Sequence, residues 1–187
     1  MTFQFKANYF GLKAIKPATS DIPPGAEIEV LIEIEIGNAA SVQAKESLVY
    51  PYTIQTAFKC NVDTYFFKVP IQMNHLLEVR GELTKSDFKQ CYTNCRIARV
   101  FNAITSPPQC KNIDSFSKLL RENNLFVVQK KRSDDNTTLY ISCRAANNKL
   151  SYISLDFVED QMEAEVRSED SEILELLYQS ILFLANN

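Results

Sequence analysis

Between Glu27 and Ile36 the chain reads EIEVLIEIEI, and no other stretch restricts the fold so strongly. Ile28, Val30, Ile32, Ile34 and Ile36 alternate with Glu27, Glu29, Glu33 and Glu35, interrupted only by Leu31. A period of two cannot gather apolar residues on one side of a helix; it sorts them onto one side of a strand. The stretch therefore predicts a strand whose β-branched residues face a core and whose glutamates face water. There the like charges also discourage edge-to-edge pairing.

Further strand signals surround it. Phe3–Leu12 begins in alternation and meets Gly11, a turn or bulge. Lys16–Gly25 carries Pro17, Pro23, Pro24 and Gly25 and reads as loop, and Gly37–Pro51 as a polar connection. Tyr52–Cys60 and Thr64–Met73 form a predicted antiparallel hairpin turning at Asn61–Val62–Asp63. Four or five strands are too few for a closed sandwich of seven. Opening on a strand rather than a cap or linker, the chain is expected to be a piece of something longer.

From residue 84 the character changes. Thr84–Phe101, TKSDFKQCYTNCRIARVF, opens as an amphipathic helix with Thr84 as N-cap and Asp87 as its capping partner. Phe88, Cys91 and Cys95 fall on one stripe, which leaves Lys85, Lys89 and Tyr92 on the side expected to face solvent. After this helix, Val100–Ile104 fits a weak strand or a helical continuation, and Ser106–Pro107–Pro108 stops either. A short helix over Asp114–Glu122, capped by Asp114 and ended at Asn123–Asn124, precedes strands at Leu125–Lys131, Leu139–Cys143, Ser151–Phe157 and Met162–Arg167. Ser171–Leu184 closes as a helix with Ile173, Leu174, Leu177, Ile181 and Leu184 on one face. Strands flanked by helices indicate an α+β layer.

Several functions lack the residues they need. His75 is the only histidine, so Ser/His, Cys/His and multi-histidine arrangements have no second member. No P-loop, G-x-G-x-x-G, G-x-S-x-G, H-E-x-x-H or C-x-x-C occurs. Acidic pairs at Asp134–Asp135 and Glu159–Asp160 read as solvated turns. The five cysteines, 60, 91, 95, 110 and 143, are odd in number and scattered, as reduced cytosolic thiols are. Cys91 and Cys95 are a helical turn apart but lack a second pair for a metal. A net charge of −3 with dispersed Lys and Arg gives no nucleic-acid footprint, and no apolar run reaches the ~20 residues of a membrane helix. The reading is a non-enzyme with no catalytic residue, metal or cofactor.

Several blocks in order resemble the C-terminal appendage, or ear, of β-adaptins, the large β subunits of clathrin adaptor complexes. They are FQFKANYFGL near the start, IQTAFKCNVDTYFFKVPI at 54–71, LLRENNLFVVQKK at 119–131, TLYIS at 138–142 and ELLYQSIL at 175–182. The resemblance implies an α+β fold, with a partial immunoglobulin-like β-sandwich over residues 1–75 and a platform of antiparallel sheet flanked by helices over 76–187. It also implies a domain that binds short peptide motifs and catalyses nothing. The expected partners are accessory endocytic proteins carrying Phe-containing motifs, clathrin, and the other adaptor subunits of a full-length protein, with no nucleic acid and the membrane reached only through the coat. The expected location is the cytoplasmic face of coated vesicles and pits, at the trans-Golgi network or the plasma membrane.

Residue by residue, the resemblance places Tyr92 where the family carries its ligand-gripping tryptophan, and matches Tyr140, Lys85 and Lys131 to platform-site positions. Ser154 belongs to the same site but stands where the family carries a glutamate; a second such glutamate falls near Val100 or Phe101. In the family these carboxylates favour a helical ligand ending in Arg. Phe66 matches a tyrosine of a second, sandwich-side site. Tyr140 and Phe66 also suit ordinary core positions, and the lysines suit a solvated surface. Two other readings stand beside this one: the appendage of another coat subunit, such as coatomer γ, and an assembly module with no peptide site.

Overall fold

The structure is a computed structural model that describes residues 2–6, 8, 10–15, 23, 25–27, 29, 31–36, 52–105 and 112–186, and of 102–104 the backbone alone. Most of the expected loop at 16–25, the connection at 37–51, the stop at 106–108, Ile28, Val30 and Cys110 lie outside these residues. The fold is α+β and divides into two compact units, 1–47 with 51–71, and 48–50 with 72–187.

The first unit holds strands β1 (Thr2–Phe5), β2 (Leu12–Ala14), β3 (Ile34–Ile36), β4 (Thr53–Lys59) and β5 (Thr64–Pro70). A three-stranded antiparallel sheet runs β1-β4-β5, and β2 pairs with β3. The hairpin forms as expected, with Lys59 opposite Thr64. Gly11 adopts φ +64°, and Asn8 brackets that turn through Nδ2 to the Leu12 carbonyl (2.9 Å) and Oδ1 from the Leu12 N–H (2.9 Å). Phe10, Leu12, Tyr52 and Ile54 form the buried centre of this unit.

The glutamate-isoleucine stretch departs from its expectation. Among the described residues only Ile34–Ile36 is strand, and Ile34 and Ile36 are 46% and 45% exposed. Their partner β2 is three residues long, and no layer among the described residues covers that face. Alternation predicts the extended backbone, but burial needs a second sheet to pack against.

The second unit is a five-stranded antiparallel sheet in the order β6-β10-β9-β8-β7. Its strands are β6 (Ala98–Thr105), β7 (Phe126–Arg132), β8 (Asn136–Arg144), β9 (Leu150–Val158) and β10 (Gln161–Ser168). The open alternative after the first helix resolves to strand, since β6 pairs along β10. One sheet face contributes Leu139, Ile141, Cys143, Ile153, Leu155, Phe157, Met162, Ala164 and Val166 to a core. Helices α2 (Ile113–Glu122) and α3 (Leu174–Asn186) close that core: Phe116 meets Phe157 edge-on, and Tyr178 stacks on Phe101 at 3.9 Å. The expected apolar face of α3 is buried, but its first turn, Ser171–Ile173, is a 3-10 turn capped by Asp170. Asn112, not Asp114, caps α2, accepting from the Ser115 N–H at 3.1 Å. Asp114 instead pairs with Lys130 and Arg132, and Lys130 holds its carboxyl below the usual range.

The opposite sheet face is crossed by α1 (Lys85–Asn94), capped by Thr84 as expected, its Oγ1 accepting from the Asp87 N–H at 3.2 Å. A strap before it, Leu77–Gly81, is pinned to β8 by the Glu78 N–H to the Arg144 carbonyl and by Ser142 Oγ donating to the Gly81 carbonyl at 2.8 Å.

Candidate functional site

Strand alternation puts Tyr140, Ser142, Tyr152, Ser154, Glu165 and Arg167 on the face that α1 crosses, because their neighbours Leu139, Ile141, Ile153, Leu155, Ala164 and Val166 point into the core. The register aligns Gln129, Tyr140, Ser154, Glu165 and Val100 in one row across five strands. Phe88 anchors α1 on this face, 6% exposed, with its ring edge-on to Tyr140 (6.0 Å) and Tyr152 (5.8 Å).

Tyr92 lies one turn after Phe88 and stacks on it at 5.3 Å, edge-on to Tyr140 at 6.3 Å. This corrects the expected stripe. Tyr92 is half-buried against the sheet rather than off it, and Cys95 caps the helix instead of continuing it. The cause is β10, which meets the amphipathic ring with polar partners. The Tyr92 hydroxyl donates to Glu165 Oε2 and lies 3.5 Å from Ser154 Oγ. Arg167 sets its guanidinium over the ring, 4.3 Å from the centroid. Its Nη1 also donates to the Tyr92 and Cys95 carbonyls at 3.2 and 3.3 Å, satisfying the C-terminal end of α1. Burial, then the bond to Glu165, pushes the Tyr92 hydroxyl above its usual pKa.

Of the residues expected at the platform, Tyr92, Tyr140 and Ser154 meet directly. Lys85 and Lys131 are exposed. Lys85 begins α1, seven residues before Tyr92, about 10 Å along the axis. Lys131 pairs in register with Thr138, whose side is that of Tyr140. Among the described residues neither lysine, nor Lys89, has a carboxylate at ion-pair distance. Phe66 belongs to the first unit. It is 80% exposed and lines a cleft of about 590 Å³ with Phe5, Lys6, Phe67 and Lys68.

Sequence reasoning missed Glu165 and Arg167. The available signal was the outward alternation of Glu163, Glu165 and Arg167 within the predicted strand at 162–167. Its meaning depends on strand order, because Glu165 is the cross-strand neighbour of both Ser154 and Val100. The face thus has a carboxylate at its centre, supplied by β10. No group of three or more potential metal ligands occurs among the described residues, and none of their helices is long and apolar enough to cross a membrane.

Comparison with known proteins adds to this geometry. Residues 78–184 match the family model described as Beta2-adaptin appendage, C-terminal sub-domain. AP-1 complex subunit beta-1 of Mus musculus and that of Homo sapiens are each 26% identical over 145 residues. These cover 77% of this chain and 15% of either relative, so the chain spans a small part of the proteins it resembles.

Proposed function

Because the chain belongs to the family of β2-adaptin appendage C-terminal sub-domains, we propose that it is a non-catalytic peptide-binding appendage of a clathrin adaptor β subunit. The observation that carries this reading is the aromatic cluster of Tyr92, Phe88 and Tyr140 on a sheet face that α1 crosses. A ligand Phe or Leu packs against Tyr140 and the free edge of Tyr92, while Lys85, Lys89 and Lys131 attract acidic residues beside it.

In this reading the ligands are short Phe-containing segments of accessory endocytic proteins and of clathrin, and the other adaptor subunits join a longer protein of which this is part. The module acts on the cytosolic face of coated vesicles and pits, at the trans-Golgi network or the plasma membrane, without touching lipid. Residues 1–75 serve as the sandwich part, with Phe66 in a second contact, and 76–187 as the platform. Single contacts of this kind are weak and gain strength from many copies in a coat.

Titration calorimetry with an acidic Phe-containing peptide tests the platform site. Tyr92→Ala is expected to weaken binding about tenfold or more, as loss of a central aromatic does, with an unchanged far-UV spectrum. An unaltered Kd would remove Tyr92 from the site.

A further inference from the structure

The carboxylate at the centre of the platform face is already fully engaged. Arg167 Nε donates to Glu165 Oε1 at 3.0 Å and Nη2 lies 2.7 Å from the same oxygen, while the Tyr92 hydroxyl takes Oε2. Both side chains of the ion pair are only 24% exposed, so this is no loose surface contact. Arg167 is itself fixed by the ring of Tyr92 and by the carbonyls of Tyr92 and of the cap residue Cys95. An incoming cation would have to displace a guanidinium that is preorganised by three other contacts, and would leave that guanidinium partly buried and unpaired.

The remaining charges set the polarity of what is left. Lys85 and Lys89 on α1 and Lys131 on β7 are exposed and unpaired among the described residues. The other carboxylates on or beside this face are peripheral or engaged, and exposed Glu169 lies at its margin, lining a hollow with Asn94, Cys95 and Tyr152. Asp87 accepts from Thr84 Oγ1 (2.7 Å), Asp156 accepts from Thr138 Oγ1 (2.6 Å), and exposed Glu163 stands opposite Asp156, two residues along β10 from Glu165. A single exposed ion pair contributes little, at these acids or at the lysines, so the preference is one of the three lysines acting together.

We infer that Arg167 is an internal counter-ion to Glu165, and that it makes this face select an acidic, aromatic-bearing peptide with no requirement for a basic end. The inference rests on the peptide-binding reading and deepens it. Arg167 is a specificity-setting residue that acts through Glu165 and Tyr92.

The test is fluorescence anisotropy with one labelled peptide, acidic at its start and carrying two Phe, made in two forms ending in Arg or in Ala. The wild-type chain is expected to bind the two forms within threefold of each other. Arg167→Gln frees Glu165 and is expected to favour the Arg-ended form at least tenfold. Glu165→Gln, which frees the guanidinium instead, is expected to favour the Ala-ended form at least threefold and provides an independent check if Arg167→Gln fails to fold. A tenfold preference of the wild type for the Arg-ended form, or an unchanged preference in a folded Arg167→Gln variant, overturns the inference while leaving the peptide site in place. Binding of neither form to the wild type rejects the site itself, and the inference with it.

Discussion

Tyr92 is held between Phe88, one turn before it on α1, and the guanidinium of Arg167, which reaches the helix end. In the proposed peptide site, the edge of the ring and the neighbouring Tyr140 would therefore be what a ligand meets, a smaller surface than a free-standing aromatic offers. The same burial has a consequence in alkali. Tyr92, Tyr152 and Tyr178 are all pushed above the ordinary tyrosine pKa, with burial the largest cause in each. The native state keeps protons that the unfolded chain releases near pH 10, so these groups contribute stability below that pH. It is lost as pH rises from there through the raised native values. Urea denaturation at pH 8, 10 and 11 is expected to show stability falling across this window, and the fall should be shallower in Tyr92→Phe. Equal falls in both proteins would mean that the Tyr92 hydroxyl is not the protonated donor to Glu165.

At this scale the sequence was half readable. Tyr92, Tyr140 and Ser154 are named by the family resemblance that the order of motifs carries, and they do meet. Glu165 and Arg167 were not, because their importance arises from register across β6, β10 and β9, which no local pattern contains.

Among the elements, local chemistry was the better guide. The Thr84 cap, the hairpin at 61–63, the stop of α2 at Asn123 with Asn124 at φ +60°, and the buried face of α3 all follow from short-range rules. The failures share one cause. Asp114 has the chemistry of a cap but is drawn to Lys130 and Arg132 on β7, and Asn112 caps instead. Ile34 and Ile36 alternate as buried residues do, yet no layer among the described residues covers them. Propensity specifies a conformation; tertiary partners decide which face is buried.

The strap before α1 illustrates the same dependence at Gly81. A Cβ there would lie 2.7 Å from the Arg144 backbone nitrogen and 3.0 Å from Cys143 Cα, both parts of β8 that cannot swing aside. Gly81→Ala is expected to destabilise the second unit by about 1–3 kcal/mol, the usual cost of forcing atoms into a packed site. Chemical denaturation measures it. A loss below about 0.5 kcal/mol would show that the strap is not pinned as closely as the Ser142–Gly81 bond indicates.

On the scale of the molecule, the chain is α+β, and residues 78–184 carry the family match. The second unit keeps its core on one face of the sheet, under α2 and α3, and the other face, among the described residues, meets α1 and the strap before it. Under the proposed function, that asymmetry separates stability from recognition. Cys143, fully buried with its thiol pushed up to about 12, belongs to the first side, and the Tyr92–Glu165–Arg167 cluster to the second. Backbone amide shifts of the labelled protein, followed during titration with the Ala-ended acidic peptide, test this division most directly. Perturbations are expected to concentrate in α1 and at Tyr140, Ser154 and Glu165, with Phe116, Leu177 and Ile181 unmoved. Shifts confined to α2 and α3, or none in α1, would contradict a recognition face on the α1 side of the sheet.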